Sequence, residues 1–596
     1  MAKRAGKDRH RARDPRSRRH RESRSKTRPG PRRPRAPQAR PTVPTVSETP
    51  ILWNRTDSVL LTGLVVVACA VLLPNLGDRC LWQDEAECAL PAKGVLRTGL
   101  PVAWDGRLLT TQEHGEELTD SFLWAWTPWA MHYFAAAGMA VFGSTSLGAR
   151  LPFALLGCAS IGLTYVVARR LVQDRWTSCL AAVLLVSCVQ YLLLMRQCRY
   201  YGIVPAAALL AVWGYTDLHR RRGLILLTAG MVLLFHANYA TCLCFALGLA
   251  VHMAIWRRDR KTLVRLAIAA AVAAALTLPW YFGLGMHHVF AKSRALGYKP
   301  DPFGQTTFKL MFVINQFACP MVVVLGLVIA AVARRLRVRG GYGLVACMAV
   351  GMMIVPVFLW ANPRYVMHML ALGPIVVAAA VREVHLRNVV VGYVLAVVAT
   401  ATNLLPAATC VLFPADVGTS KLNGEYVTGR QVLAQSVVKK EWAGYVHELH
   451  TPFVGPNEAI VRFLNEQTEP NDILFAAYGD LPIMFHTHRR CAGLLAPSSR
   501  RRPGWDRLPD YLWDLDAASV LVVRPWWQVP GGYQALYHRW EEKARRSGQE
   551  LARRVLPVQD IRWGNSPGPR YHCFRSPGPK PGFNVMLIRR QPRQED

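Results

Sequence analysis

Apolar stretches of about the length that crosses a bilayer as a helix recur through most of this chain, at about 58–76, 121–142, 150–170, 176–195, 201–217, 223–256, 264–283, 310–332, 341–360, 364–381 and 389–410. No other feature constrains the fold as strongly. The 223–256 run is too long for one span and short for two. His236, Asn238 and Tyr239 lie in its middle, so it reads as two short helices meeting there. The expectation is an α-helical polytopic membrane protein with about 11–13 transmembrane helices.

Composition agrees once charge and apolarity are seen to be segregated. The 596 residues are 52% hydrophobic and 18% charged, below the roughly 25% usual in soluble domains, yet the formal net charge is +34. Residues 1–50 hold seventeen Lys and Arg against four acids, net +13, and almost no large apolar side chain. Such a segment cannot bury enough surface to offset its ordering entropy, so it reads as a disordered basic cytoplasmic tail held to anionic lipid, with no specific nucleic-acid partner. An ordinary soluble enzyme and a disulfide-stapled secreted domain are excluded.

Basic loops set the orientation. Arg169-Arg170 with Arg175, Arg220-Arg221-Arg222, Arg257-Arg258 with Arg265, Arg334-Arg335 with Arg339, and Arg382 with Arg387 alternate with loops poor in Lys and Arg. The positive-inside rule groups them with the N-terminus in the cytoplasm, leaving 77–120, 196–200, 236–240, 284–308 and 361–364 outside. The count conflicts at one point: two spans between 121 and 170 would put Arg169 on the wrong side. Either one of them does not cross, or this cluster breaks the rule. Residues 51–410 are then the transmembrane part. Residues 411–596 change to short strand-like runs such as 472–477 and 518–523 mixed with helical stretches, which reads as an extracytoplasmic soluble α/β domain.

Ten of the fourteen cysteines lie in or beside apolar runs, where free Cys behaves as a small hydrophobe. A Cys80–Cys88 or Cys491–Cys573 bridge is left open, and neither Cys nor His has zinc-finger spacing.

The first external loop, 77–120, is the most informative. It contains Trp82-Gln83-Asp84-Glu85-Ala86-Glu87-Cys88-Ala89, then Thr98-Gly99-Leu100-Pro101, then Glu113, His114, Glu116, Glu117 and Asp120. A carboxylate at a low-dielectric boundary has a raised pKa unless paired, which suits a general base; a solvated acidic loop is the bland alternative. Arg196, Arg199, Tyr200, His236, Arg364 and Tyr365 stand at the same outer level, and arginine forks match phosphate oxygens, although helix-end arginines also snorkel to headgroups.

With these residues in view the chain resembles the glycosyltransferase C superfamily, and within it glycosyltransferase family 39, which includes protein O-mannosyltransferases and lipid A aminoarabinose transferases. The likeness rests on Asp84-Glu85 in a long first external loop, Thr127-Pro128-Trp129 in the place of a His/Lys-Pro-Pro motif, Arg150-Leu151-Pro152, Arg196 to Tyr200, and Pro363-Arg364-Tyr365, in family order over 55–410. It departs from the family at Cys88, where Tyr is common, and at Thr127. The resemblance implies a membrane glycosyltransferase that moves a sugar, with inversion, from a polyprenyl-phosphate donor to an external glycan, lipid or protein acceptor in the cell membrane. It implies Asp84 as catalytic base and Glu85 beside it. Arg196, Arg199 and Arg364 would hold the phosphate with Tyr200, His236 and Tyr365 nearby, and Glu116, Glu117 and Asp120 are candidates for a second acid. No cofactor is required; the carboxylates would admit a divalent metal, but no ligand geometry is legible. The competing function is a polytopic transporter or flippase, for which internal repeats are expected and none is convincing.

Overall fold

Every apolar helix of this chain must satisfy its backbone internally and bury its few charges against one another, and both requirements are visible in how the helices meet. The computed structural model describes residues 53–256, 259–288, 344, 367–402, 404, 420–422, 425–427, 440–452, 455–476, 479–496, 502–523, 531–547, 550–558 and 584–591. The basic tail, the segments expected at 310–332 and 341–360, Arg364, Tyr365 and Cys573 lie outside the described residues.

The helices are α1 (Arg55–Leu72), α2 (Gln83–Thr98), α3 (Ala130–Phe142), α4 (Ser146–Val172), α5 (Arg175–Val186), α6 (Val189–Met195), α7 (Ile203–Thr216), α8 (Arg221–Ala237), α9 (Tyr239–Trp256), α10 (Arg260–Gly283), α11 (His368–His385) and α12 (Val389–Ala401). Among the described residues, α1, α4 and α10 are long and apolar enough to cross a membrane by themselves, and α5 with α6 forms a fourth such unit bent by 66°. Their outward faces carry exposed Val59, Val66, Ile268, Leu276, Val390 and Val397, the apolar surface that lipid contact requires.

Two of the expected spans are corrected. The segment 121–142 is helical only from Ala130; before it, Val102–Leu123 and Leu118–Trp124 bridges make a folded loop. Trp124 Nε1 donates to Thr127 Oγ1 at 2.8 Å and Trp129 Nε1 to the Trp124 carbonyl at 2.7 Å, so the aromatic residues that look membranous fold onto their own turn. The segment 176–195 breaks at Ser187–Cys188, and the Ser187 carbonyl accepts from Trp442 Nε1 at 2.9 Å. The 223–256 run does divide, at Asn238, whose side chain accepts from Thr241 N at 2.9 Å. Cys80 and Cys88 carry free thiols, so no bridge joins them.

The ends of α4 resolve the Arg169 conflict. At its start, Arg150 donates to the carbonyls of Leu76, Arg79 and Cys80, just past the end of α1. At its other end, Arg169 Nε lies 2.9 Å from Asp57 Oδ1 at the start of α1. The two helices therefore run antiparallel over their full length, and α3 returns the chain to the level it left: one crossing lies between 121 and 170, not two. Asp57 also accepts from Tyr165 OH at 2.8 Å and pairs with Arg175 at 3.2 Å. A second buried acid on this end, Asp217, pairs with Arg170 at 3.3 Å, Arg220 at 3.7 Å and Arg222 at 2.5 Å. Arg265 donates to the Leu218 carbonyl at 2.8 Å, and Arg382 pairs with Asp174 at 3.4 Å. The described basic loops therefore gather at one end of the bundle.

The C-terminal region adds α13 (Lys440–His450), α14 (Pro456–Gln467), α15 (Asp480–Thr487), α16 (Gly531–Arg546), a hairpin of β1 (Ser420–Leu422) and β2 (Glu425–Val427), and a five-stranded sheet. That sheet comprises β3 (Ile473–Ala476), β4 (Arg490–Cys491), β5 (Val520–Val523), β6 (Glu550–Pro557) and β7 (Asn584–Gln591), ordered β4-β3-β5-β7-β6. β3 is parallel to β4 and β5, whereas β7 is antiparallel to β5 and β6. This α/β unit sits on the first loop: Phe122 stacks on Trp505 at 5.4 Å in a core that also holds Trp124, Leu118, Leu495 and Leu512.

Asp57→Ala should leave buried Arg169 without its anion and cost about 3 kcal/mol or more; a lowered melting temperature of the purified full chain, largely restored in Asp57→Glu, is the expected result.

Candidate functional site

Helix α2 is unusual in being buried on almost every side over residues 83–92 while carrying Asp84, Glu85 and Glu87 in its first turns. Buried carboxylates persist only when paired and hydrogen-bonded. Close packing is what encloses the helix. A Cβ on Gly94 would lie 2.4 Å from the Val102 carbonyl oxygen, so only glycine lets the 102–124 loop run against α2. On another face α15 docks through Gln83 Nε2 to Asp480 Oδ1 at 2.9 Å and Lys93 Nζ to the Phe485 carbonyl at 3.1 Å. Burial brings the Lys93 ammonium down to about 8.

The three acids have different surroundings. Glu85 is clamped by Arg150 in a two-pronged pair, Nε to Oε1 at 2.7 Å and Nη2 to Oε2 at 2.6 Å, and also accepts from Cys198 N at 2.9 Å and Trp82 N at 3.2 Å. Glu87 receives Arg199 Nη1 at 2.6 Å. Asp84 is held by its main chain, whose carbonyl takes the same Nη1 at 2.9 Å, while its Oδ2 stands 3.6 Å from Arg199 Nη2, an ionic but not a hydrogen-bonding distance. Its side chain is 12% exposed, against 1% for Glu85 and 5% for Glu87. Burial pushes the Glu87 carboxyl up to about 7, Arg199 pulling it down and the Asp84 charge pushing it further up. Against the cost of its own burial, the Arg199 guanidinium is held well above its ordinary value by Glu87 and Asp84.

The structure thus brings Asp84, Glu85, Arg199 and Tyr200 together; the Tyr200 ring lies 5.9 Å from the Arg199 guanidinium and packs edge-on against Tyr201. Arg196 is nearby but engaged: its guanidinium donates to the carbonyls of Leu72 at 2.7 Å, Pro74 at 2.8 Å and Asn75 at 3.3 Å, capping α1. It lines a small cavity with Glu85, Arg150, Gln197, Tyr445 and Glu448. The acids of 113–120 face the C-terminal domain instead. Glu116 pairs with Arg502 at 3.0 Å, whose other nitrogen donates to the Leu118 carbonyl at 2.8 Å. Glu117 is buried and accepts from the main-chain N–H groups of Gln112 and Glu113. Asp120 lies in the turn leading to Phe122. His236 ends α8 against the Trp280 ring, 5.1 Å away, and Trp280 meets Trp129 at 5.6 Å, so this histidine belongs to an aromatic group beside the Thr127–Trp129 turn.

Sequence reasoning passed over two functional partners. Glu87 stands three residues after Asp84, a spacing that puts both on one helix face. Arg150 was weighed only as part of a motif; a lone arginine opening an apolar run is the signal that an anion waits beneath it.

No family model matches the chain. Two arabinosyl transferases from Pseudomonas fluorescens are similar to part of it. One, undecaprenyl phosphate-alpha-4-amino-4-deoxy-L-arabinose arabinosyl transferase 2, is 31% identical over 27% of this chain and 29% of its own length. The other, transferase 1 of the same name, is 30% identical over 36% of this chain and 39% of its own. The matched stretch is therefore about a third of those relatives. Similarity of structure reaches much further. The crystal structure of ArnT from Cupriavidus metallidurans bound to undecaprenyl phosphate matches 89% of this chain and 97% of that one, with a TM-score of 0.55 and 14% identity. Its apo form gives 0.53 over the same shares. At that identity the likeness is one of fold.

Glu85→Gln should remove one buried charge, strand Arg150 and cost about 3–5 kcal/mol. The expected observation is loss of folded full chain in detergent, with Asp84→Asn retaining the wild-type melting temperature to within a few degrees.

Proposed function

We propose, for a chain with the multi-pass membrane fold of the glycosyltransferase C superfamily, that it transfers a sugar from a polyprenyl-phosphate donor to an external acceptor, with inversion at the anomeric carbon. The observation that carries the reading is the arrangement at the start of α2. A buried helix presents one carboxylate, Asp84, more open than its neighbours and fixed in place through its own backbone by Arg199. A base must be positioned before it can be useful, and it must keep lone pairs for the incoming proton.

In this reading the acceptor hydroxyl approaches Asp84, which takes its proton as the oxygen attacks the anomeric carbon. The bond from that carbon to the phosphate oxygen breaks on the opposite face, and the phosphate leaves with the electron pair. What the protein supplies is orientation of the base and positive charge for the leaving group. Glu85, with both oxygens occupied, holds α2 to α4 and the 196–202 link and takes no part in the proton transfer. Arg364 and Tyr365, with His236, are proposed for the donor phosphate. Arg199 is reassigned from the phosphate to the base, and Arg196 to the cap of α1. Arginines carry the phosphate charge, so the scheme calls for no resident metal or other cofactor.

The basic end of the bundle faces the cytoplasm with the N-terminal tail, and the acid end and the C-terminal domain face outward. Glu116, Glu117 and Asp120 then serve as fasteners to that domain, which stands beside the acceptor path because α15 packs on α2. Glycan, lipid and protein acceptors all offer the hydroxyl that the scheme needs.

Asp84→Asn should lower transfer about 10²–10⁴-fold while leaving expression and folding intact. Mass spectrometry of envelope glycans from cells with the wild-type chain, the variant and no chain provides the readout. Glycans unchanged by Asp84→Asn, in cells where deleting the chain alters them, would overturn the assignment.

A further inference from the structure

We propose that Glu87 is a positioning residue that shares Arg199 with Asp84 and, by holding or releasing that guanidinium, decides whether the Asp84 carboxylate is open to the acceptor proton. The inference rests on the reading of Asp84 as the base. Asp84 and Glu87 lie one helical turn apart, and a single buried guanidinium stands between them, 2.6 Å from Glu87 and 3.6 Å from the Asp84 carboxylate. Arg199 is 6% exposed, so water offers it little alternative to these anions. A close charge-assisted bond weakens a carboxylate as a base, because it stabilises the ionised form. The acid that holds Arg199 tightly is therefore the acid that is not the base.

With Glu87 ionised, Arg199 stays on Glu87 and Asp84 keeps its lone pairs. When Glu87 takes a proton from solvent, its pull on the guanidinium falls, Arg199 moves the short distance to Asp84, and the base is tied down. The groups facing Glu87 are Asp84 on its own helix, Arg199 with Tyr200 and Tyr201 from the link after α6, and His132 from α3, whose Nδ1 lies 3.0 Å from the Cys88 carbonyl. Where α15 packs on α2, Asp480 is bound to Gln83. Burial and the Asp84 charge lift the Glu87 carboxyl to about 7 against the pull of Arg199, which puts the change near neutrality. The sign follows: transfer is high above about pH 7 and falls as pH drops through it.

The test uses the full chain in lipid nanodiscs, with a chloroform–methanol extract of radiolabelled host membranes as donor and unlabelled host envelope as acceptor. Rate–pH profiles are measured for wild type, Glu87→Gln, Glu87→Asp and Asp84→Asn. Glu87→Gln, which imitates the protonated state, should lose the limb near pH 7 and be about tenfold or more slower on the alkaline side, and Glu87→Asp should restore the limb. In parallel, labelling of residue 87 by dicyclohexylcarbodiimide, which attacks protonated buried carboxyls, should fall as pH rises through the same range, read by peptide mass spectrometry. A wild-type limb in Glu87→Gln overturns the inference. If that variant fails to fold, labelling of residue 87 that does not change with pH overturns it instead. An active Asp84→Asn sinks the base assignment itself, whereas an inactive Asp84→Asn beside an unaltered Glu87→Gln profile sinks only the role of Glu87.

Discussion

Three carboxylates on one buried helical turn are the constraint on which the rest of this structure turns. Each would be prohibitively costly in an apolar setting if left alone. The fold answers with two arginines from different elements: Arg150 at the head of α4 takes Glu85, and Arg199 in the link after α6 takes Glu87 and stands off Asp84. Those pairings fix α2 against two helices, and α2 in turn gives the C-terminal domain its seat through Gln83, Leu81 and Lys93. Positioning of the base and attachment of the domain are thus one set of contacts.

The opposite end of the bundle repeats the logic with the charges reversed in number. There two buried acids, Asp57 and Asp217, each gather several arginines, and the surplus positive charge lies at the surface. Alignment of α4 is set at both ends, by Arg150 above and Arg169 below, which is why α3 cannot be a crossing. An inventory of ion pairs therefore settles the helix count in this region better than hydropathy does.

How much was legible in the sequence depends on whether the decisive partner was local. The break at Asn238 was visible, because polar residues interrupt an apolar run at the position where the side chain caps the next helix. The break at Ser187 was not: its carbonyl is taken by Trp442, which lies far along the chain. The false start of the span at 121 has another cause. Trp124, Trp126 and Trp129 score as apolar, yet two of them donate hydrogen bonds within a folded turn, and hydropathy does not distinguish these uses. At the site, Asp84 and Arg199 stood out as ionisable residues at membrane-helix ends. That Arg199 would face α2, and that the 113–120 acids would face Arg502, depends on packing between distant segments, which residue spacing does not encode.

The central claim is that Asp84 stands one sugar ring away from where a polyprenyl phosphate places its phosphate. The most direct measurement is a cryo-electron microscopy structure of the full chain with undecaprenyl phosphate bound. The account predicts phosphate density on the Asp84 side of the bundle, separated from that carboxylate by space for a single sugar and contacted by arginine. Phosphate density at the end marked by Asp57, or an Asp84 walled off from the bound head group by packed side chains, would contradict it.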